Sequence, residues 1–575
     1  MKTLLGIWRL LDPRQRRLLA ALQALSVLMA FSTVSGVAAI LPFFTVLADP
    51  GSVDHSAILR FLYNATGFAD KRSFVIALGV AFAALVLLAN AVNLLGALAM
   101  NRFAFHVGNA FHVALFSEYM NRGFGFHART NTSTLASNVL HETGRVTSGI
   151  LQNGLILITS LVTIAFIFVC IVVVNPAVAV AAIAGLGASY LAIYAIARGR
   201  LLRNGSIESR AFAQRAHVVS ESFAAIKEIS LLQAQRLCVD KFSRACATLS
   251  DTLASTFAIS QIPKHVVECA AVFSLAGIAL YLSGRGEASG PWIAELSFIG
   301  LAAYRLLPAV QQAFVSVVRI RADRPAFEHV AADLQRARAH GSAVRITELD
   351  PSWRNRPRHE IRVESVSFRH TADRPPAISN LTLRVPAGAV VGLIGVNGSG
   401  KTTLADLLAG LLVPDSGLIA VDGIAIDDRN RDSWQATIGY VPQQIFLLEA
   451  TVAENIAFGT LPAHIDHARM HSAARLARFE GCVAELPHGY ETVIGERGST
   501  LSGGQRQRLG IARALYRDAS MLLMDEATSA LDAAAEQEIG DMLATLRKNR
   551  TIIVIAHRPS TLRHCDAVYE LRSGS

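Results

Sequence analysis

Six stretches of this sequence are apolar over a length that can cross a lipid bilayer. A membrane-spanning helix needs about 20 mainly apolar residues, because hydrocarbon offers no partner for an unpaired backbone N–H or C=O group. The stretches are residues 18–47, 73–100, 150–174, 177–197, 258–283 and 292–320. The composition agrees, since 52% of the 575 residues are hydrophobic and only 17% are charged. We therefore predict an all-α membrane domain of six transmembrane helices within residues 1–335.

The connections between the apolar stretches indicate the orientation of this domain. Residues 101–149 and 198–257 form long connections with helical periodicity, and they carry Arg and Lys close to the apolar stretches. Cationic flanks favour the cytoplasmic side of a membrane. We expect both connections to be helical extensions that reach into the cytoplasm.

A short amphipathic helix is predicted at residues 56–68, in the first outward connection. Its apolar residues follow the spacing of a single helix face, and they are Ile58, Leu59, Phe61, Leu62 and Ala65. Two arrangements fit this pattern. The helix either lies on the membrane surface or packs against the outer ends of the spanning helices.

Charge and cysteine usage exclude two other kinds of site. The formal net charge is +10, and many of the cations stand beside apolar stretches rather than in a basic groove. Nucleic acid is therefore not expected as a partner. The six cysteines are scattered without a CxxC pair, so neither a disulfide framework nor a zinc site is expected.

The sequence changes character after a polar linker that we place at residues 336–358. Over residues 359–575, strand patterns alternate with amphipathic helices, which is typical of an α/β domain. Here Gly395-x4-Gly400-Lys401-Thr402 lies between an apolar strand and a helix, the context of a phosphate-binding P-loop. Backbone N–H groups and the helix dipole can cradle phosphates. The predicted phosphate contacts are Gly395, Asn397, Gly398, Ser399, Gly400, Lys401, Thr402 and Thr403.

A second motif, ASMLLMDEATSALD, places two carboxylates after a short apolar strand. A buried strand that ends in Asp525 and Glu526 suits nucleotide chemistry. Asp525 can hold the Mg²⁺ shell, together with the Thr402 hydroxyl. Glu526 can polarise the attacking water as a general base.

The sequence resembles the ABC transporter family over the whole chain. The family signature LSGGQ occupies residues 501–505, Gln443 lies in GYVPQQ, Asp532 ends SALD, and His557 lies in IIVIAHR. The resemblance implies a half-transporter of the type I exporter kind, with ATP and Mg²⁺ as cofactors. It also assigns hydrolysis to Glu526, His557 and Gln443, and metal binding to Thr402, Gln443 and Asp525.

The same resemblance implies a homodimer. In the family, the signature of one subunit contacts the γ-phosphate held by the P-loop of the other, so each ATP lies between two nucleotide-binding domains. The residues that would complete the partner's site are Ser502, Gly503, Gly504, Gln505 and Asp532. One chain carries six spans and one such domain, which is half of that assembly.

One position departs from the family pattern. An aromatic side chain, often Tyr, usually stacks on adenine two residues after the Phe of VSF, and here VSFRH places His370 there. An imidazole still stacks on a purine, but more weakly. The departure concerns adenine affinity rather than hydrolysis.

Among the ionisable residues within the predicted spans, three are candidates for a substrate site. Lys264 and Glu268 are one helical turn apart and are expected to pair, whereas Arg305 has no acidic neighbour at helical spacing. A charge at bilayer depth costs at least a few kcal/mol, so such residues mark function or a specific pairing. The residues either attract an anionic substrate head group, or Arg305 pairs with Glu268 across helices and fixes the packing.

The membrane half resembles, over short segments, bacterial flippases for lipid-linked oligosaccharides. The segments are LAAYRLLPAVQQAF and IPKHVVE, together with the outer helix. This resemblance implies an anionic polyprenyl-diphosphate oligosaccharide as substrate and the bacterial inner membrane as location, with the nucleotide-binding domain in the cytoplasm. The alternatives are an exporter of amphipathic drugs, lipids or non-ribosomal peptides and, more remotely, a soluble-type ABC ATPase that acts on nucleic acid.

Overall fold

The computed structural model describes residues 2–572 apart from several short gaps. These gaps are 49–50, 52, 54–55, 67–69, 175, 284–290, 342–347, 372, 496–497, 499, 528–532, 548 and 557–561. The chain divides into two compact units. The first comprises Met1–Arg122 and His127–Val344, and the second comprises Gly123–Phe126 and Arg345–Ser575.

The described residues of the first unit form helices and the turns between them. Its helices up to the second apolar stretch are α1 (Lys2–Leu10), α2 (Pro13–Ala38), α3 (Ile40–Ala48), α4 (Ala57–Thr66) and α5 (Lys71–Met120). Next comes α6 (Phe124–Arg129), whose first three residues are assigned to the second unit. It is followed by α7 (Thr132–Ser137), the π segment (residues 138–152, π-helical apart from Thr143–Arg145) and α8 (Asn153–Val174). The remaining helices are α9 (Pro176–Ala224), α10 (Ile226–Leu231), α11 (Gln235–Ser283), α12 (Pro291–Ala322) and α13 (Arg324–His340).

Three of these helices are far longer than a bilayer requires. Helix α5 has 50 residues and helices α9 and α11 have 49 each. At about 1.5 Å per residue each extends for roughly 75 Å, more than twice the hydrocarbon thickness of about 30 Å. The long connections predicted between spans are therefore continuations of spanning helices.

Within the described residues, three helical segments are long and apolar enough to cross a membrane. They are Pro13–Gly36, Lys71–Met120 and Thr132–Val173. The other predicted spans fall in helices α9, α11 and α12, and parts of them lie outside the described side chains.

The first predicted span is interrupted. We predicted one apolar stretch over residues 18–47, but helix α2 ends at Ala38 and helix α3 begins at Ile40. The reason lies in Pro42, which has no N–H group to bond the Ala38 carbonyl and so breaks the helical ladder there.

The outer helix α4 packs against its neighbours through one face. Leu59 is buried in a small cluster with Val46 and Phe74, and the Tyr63 ring meets the Phe74 ring edge-on at 5.1 Å. Phe61 points away and is 72% exposed. The structure therefore favours packing for the Leu59 face and leaves an apolar side chain on the opposite side.

The second unit contains two sheets. The antiparallel sheet has the order β2-β1-β4-β5 and comprises β1 (Glu360–Phe368), β2 (Ile378–Pro386), β4 (Ser416–Val421) and β5 (Ile424–Ala425). The parallel sheet has the order β6-β7-β8-β3-β9 and comprises β3 (Val390–Gly395), β6 (Ile438–Val441), β7 (Met521–Asp525), β8 (Thr551–Ile555) and β9 (Ala567–Leu571). Helix α13 ends at His340, so the first residues of the predicted linker are helical.

Helices cover the parallel sheet. They are α14 (Lys401–Leu408), α15 (Arg431–Gln435), α16 (Val452–Ile456), α17 (His467–Leu476), α18 (Glu480–Ala484), α19 (Gly503–Tyr516) and α20 (Ala533–Leu546). Every residue of β7 and β8 is buried, as expected for parallel strands covered on both faces. Strands β3, β8 and β7 are neighbours, so their carboxyl ends meet at one edge of the sheet.

Helices α9 and α12 approach closely at Gly205. A Cβ atom added there would collide with the Ala322 carbonyl oxygen. We predict that Gly205→Ala forces the helices apart at a cost of about 1–3 kcal/mol, the usual range for overpacking. The midpoint of thermal unfolding of the purified protein should fall by several degrees. Gly199→Ala is the matched control on the same helix, because a Cβ there meets no atom within 4 Å, and equal destabilisation by both changes would contradict the prediction.

Candidate functional site

The glycine-rich loop joins strand β3 to helix α14. Strand β3 ends at Gly395, and helix α14 begins at Lys401. Gly400 has φ = 98°, which side chains rarely adopt, and a Cβ there would lie 2.5 Å from the Ala377 carbonyl oxygen. Glycine at this position therefore allows the turn that brings the start of helix α14 against the loop.

The loop contains polar groups that suit an anion. The Ser399 hydroxyl is buried and has no hydrogen-bond partner within the described parts of the chain. Lys401 is only 7% exposed, and its Nζ donates to the carbonyl oxygens of Gly395 (2.9 Å) and Val396 (3.1 Å). A cationic group held inside a loop of backbone amides fits an anion such as a phosphate.

Asp525 and Glu526 follow strand β7 at the same sheet edge. Asp525 is buried, at 5% exposed. Glu526 has φ = 49°, a left-handed conformation that costs on the order of 1–3 kcal/mol for a residue other than glycine. The Gln443 side-chain amide donates to Glu526 Oε2 at 2.7 Å. The predicted catalytic carboxylate and the predicted Gln443 therefore lie together.

Asp406 is a further acidic residue near this site that the sequence reasoning missed. It lies on helix α14, one turn beyond Lys401. Burial, together with the negative charge of Asp525, raises the pKa of Asp406 to about 6. The available sequence signal was an acid on an otherwise apolar helix directly after the loop.

The signature residues form the start of helix α19. The Ser502 hydroxyl accepts from the backbone N–H of Gln505 (3.2 Å), and the Gln505 side chain accepts from the N–H of Ser502 (2.8 Å). This reciprocal capping box fixes the beginning of the helix. Gly503 and Gly504 occupy its first turn, where backbone N–H groups and the helix dipole favour an anion.

His370 lies beside the phosphate-binding helix. Its Nε2 is 3.1 Å from the Thr403 hydroxyl oxygen, within hydrogen-bonding distance. Its ring meets the Phe368 ring edge-on, with the centroids 5.0 Å apart. The predicted adenine-stacking residue is therefore next to the nucleotide loop. The remaining predicted site residues, Asp532 and His557, lie outside the described residues.

Of the three candidate residues in the membrane spans, two form a local group with a histidine and the third lies apart. Lys264 Nζ lies 3.9 Å from Glu268 Oε1, and His265 Nδ1 lies 3.4 Å from Glu268 Oε2. His265 is a member that the sequence reasoning missed, although it stands three residues before Glu268. Arg305 is half-buried, and among the described residues it has no ion-pair partner.

A polar link joins three helices at a point between Arg305 and the C-terminal end of helix α12. The Tyr190 hydroxyl donates to Gln311 Oε1 at 2.9 Å, and Gln311 Nε2 donates to the backbone carbonyl oxygen of Ser260 at 2.9 Å. Pro263 lies within the same turn of helix α11 as Ser260 and lacks an N–H group. Gln311 thus ties helices α9, α11 and α12 together within the apolar region.

Comparison with known proteins supports both halves. Residues 378–529 match the family model described as ABC transporter, and residues 18–290 match that described as ABC transporter transmembrane region. A protein of Alkalilimnicola ehrlichii named ATP-dependent lipid A-core flippase is 30% identical over 80% of this chain and 77% of its own length. A flippase of the same name from Methylococcus capsulatus is 30% identical over 80% of this chain and 75% of its own.

Matches of higher identity are confined to one part of the chain. A lipid A-core flippase of Ralstonia nicotianae is 44% identical, but the match covers 38% of this chain and only 37% of that protein. Among solved structures, a bacterial Atm1-family ABC exporter with ATP bound has a TM-score of 0.74 and covers 98% of this chain and 95% of that one. At 23% identity, this likeness concerns the fold alone.

The helical membrane domain and the P-loop domain together define a multi-pass membrane protein with its own ATP-hydrolysing domain. The chain belongs to the ABC transporter family. The predicted type I exporter fold and the predicted ATPase are confirmed.

We predict that Glu526→Gln abolishes ATP turnover and retains ATP binding. An amide cannot accept a proton from the attacking water, and general-base catalysis contributes about 10²–10⁴-fold. Phosphate release should fall by that factor, whereas binding of a fluorescent ATP analogue should persist. Asp428→Asn, an exposed carboxylate in the same unit, is the control, and hydrolysis by Glu526→Gln at the control rate would refute the role of Glu526.

We predict that His370→Tyr tightens ATP binding by about 2- to 10-fold, the usual range for an improved aromatic contact. The substitution also removes the hydrogen bond to Thr403. Equilibrium titration with ATP and with GTP measures the effect, which should be larger for ATP. Weaker binding of ATP by the variant would show that His370 contributes to the site through Thr403 rather than by stacking.

Proposed function

We propose that this protein is a homodimeric ATP-driven exporter that moves an anionic lipid across the bacterial inner membrane. The observation that supports the substrate class is Arg305, a half-buried guanidinium in an apolar helix with no ion-pair partner among the described residues. A charge retained at bilayer depth without a fixed partner suits a ligand of opposite charge.

The nucleotide half supplies the energy. Lys401 and the loop N–H groups bind the phosphates, and the unpartnered Ser399 hydroxyl offers a further contact. The oxygens of Thr402, Gln443 and Asp525 are the hard ligands that Mg²⁺ prefers, so these residues fit the ion. Bound there, Mg²⁺ would neutralise charge on the phosphates. Glu526 orients the attacking water, with His557 in the supporting role that the family resemblance assigns to it.

A second copy of the chain completes the site. The chain carries one P-loop and one signature helix, and the capping of Ser502 leaves the start of helix α19 ready to meet an anion. The signature residues and Asp532 of one subunit would face the ATP held by the other. Closure of this sandwich on ATP, and its opening after hydrolysis, would drive the long helices of the membrane domain.

Two anionic lipid substrates are in question. The membrane segments that resemble oligosaccharide flippases favour a polyprenyl-diphosphate oligosaccharide, whose pyrophosphate would engage Arg305 and Lys264. The relatives named lipid A-core flippase favour that lipid instead. When no substrate is bound, Glu268 would pair with Lys264 and His265. In either case the nucleotide-binding domain lies in the cytoplasm, where ATP is available.

We predict that Arg305→Ala and Lys264→Ala each reduce substrate flipping by about tenfold and leave basal ATP hydrolysis intact. The factor corresponds to loss of one hydrogen bond to a charged group. The measurement is movement of a fluorescent polyprenyl-diphosphate lipid and of lipid A-core in proteoliposomes, with ATPase activity followed in parallel. Lys241→Ala, an exposed cation on the same helix as Lys264, is the matched control. Normal flipping of both lipids by both variants would exclude an anionic head-group site here.

A further inference from the structure

A buried charge cluster lies where three helical segments of the first unit meet. Arg145 Nε lies 2.8 Å from Asp323 Oδ1 and 3.2 Å from Glu208 Oε1. Its Nη1 lies 3.3 Å from Glu142 Oε2 and donates to the Ser209 hydroxyl at 2.6 Å. We call these five residues the Arg145 cluster.

The cluster holds backbone as well as side chains. Arg145 Nη2 reaches the carbonyl oxygens of Gly205 (3.5 Å) and Ala322 (3.4 Å). The Ser209 hydroxyl also donates to Glu142 Oε2 at 2.9 Å. Arg145 therefore connects the π segment, helix α9 and the end of helix α12.

All the charged residues of the cluster are buried. Arg145 is 6% exposed, Glu142 2%, Glu208 8% and Asp323 6%. Burying a charge is costly unless it is paired. Three carboxylates here share one buried guanidinium, and Glu142 Oε1 has no hydrogen-bond partner within the described parts of the chain.

With all three carboxylates ionised, the cluster and the charges around it have a net charge of −1, which one bound proton would neutralise. Arg319, on helix α12, adds a second positive charge near Asp323 and Glu208. His141, on the π segment, stays neutral, because burial and the charges of Arg145 and Arg215 lower its pKa to about 4. Two cations therefore face three carboxylates.

Glu208 is the member suited to carry the missing proton. Burial raises the pKa of Glu208 to about 7, and the charges of Asp323 and Glu142 act in the same direction, against Arg145 and Arg319. Burial raises the pKa of Asp323 as well, but among the three carboxylates Asp323 has the shortest contact with Arg145, at 2.8 Å, so it is the better ion-pair partner. Glu208 lies in the polar part of helix α9, beyond the predicted span.

We propose that the Arg145 cluster is a proton-dependent latch, in which protonated Glu208 closes the junction of the π segment, helix α9 and helix α12 and ionised Glu208 loosens it. Its members are positioning residues, since they touch neither nucleotide nor the proposed substrate site. Ionisation of Glu208 at alkaline pH would weaken the link between helices α9 and α12. Only the effect of this weakening on transport rests on the proposed function.

The direction of the pH effect follows from linkage. A carboxyl whose pKa is higher in the closed state stabilises that state most at low pH, and the advantage declines as the pH rises from the ordinary value of 4.5 toward 7. Between pH 6 and pH 8 the opening equilibrium should increase on the order of tenfold.

Hydrogen exchange of the full-length protein in lipid nanodiscs, without nucleotide or substrate, tests the latch. After correction for intrinsic chemistry, amides in the π segment and in residues 201–212 of the wild-type chain should open about tenfold more at pH 8 than at pH 6. Glu208→Gln, which mimics the protonated acid, should open equally little at both. Glu221→Gln, at an exposed position of the same helix, should behave as wild type.

Two results would overturn the proposal. One is that hydrogen exchange in these segments of the wild-type protein is independent of pH. This measurement does not depend on the folding of any variant. The other is a tenfold pH response that persists in Glu208→Gln. Because no transport or hydrolysis is measured, failure of the latch and failure of the proposed transport function are distinguishable.

Discussion

The nucleotide site depends on the adjacency of three parallel strands. Strands β3, β8 and β7 pair in register, so the loop after β3 and the carboxylates after β7 emerge at one edge of the sheet. The strands are buried on both faces, which makes their ends rigid supports for polar groups. The positive φ of Glu526 is a local cost at this edge, and the buried core sustains it. Without this adjacency the motifs would be unconnected sequence features.

In the membrane domain, the main constraint is the cost of burying charged side chains. Water is scarce, so each ionisable group needs a partner or a use. Glu268 holds Lys264 and His265, and the Arg145 cluster pairs its members through a dense set of contacts. Arg305 stands apart from both, which is why it carries the argument for an anionic substrate. Among the described residues, the Arg145 cluster connects neighbouring helices, and Arg305 is a cation that our proposal assigns to a ligand.

Much of this was accessible from the sequence, because the signals were local. Apolar runs indicated the membrane helices, and short motifs with strong physical reasons indicated the nucleotide domain. The break after Ala38 was missed because apolar composition does not register the effect of Pro42 on the helix ladder. The Arg145 cluster could not be found at all, since Arg145, Glu208 and Asp323 are distant in sequence and meet only through helix packing. The contact of His370 with Thr403 likewise depends on the fold.

The central claim is that ATP hydrolysis by this protein is coupled to an anionic lipid. The most direct test is the ATPase activity of purified protein in neutral-lipid proteoliposomes, titrated with polyprenyl-diphosphate oligosaccharide, lipid A-core and uncharged amphipathic drugs. The account predicts saturable stimulation by at least one of the two anionic lipids and none by the drugs. Stimulation by the drugs alone would contradict it and would identify the protein as an exporter of amphipathic compounds.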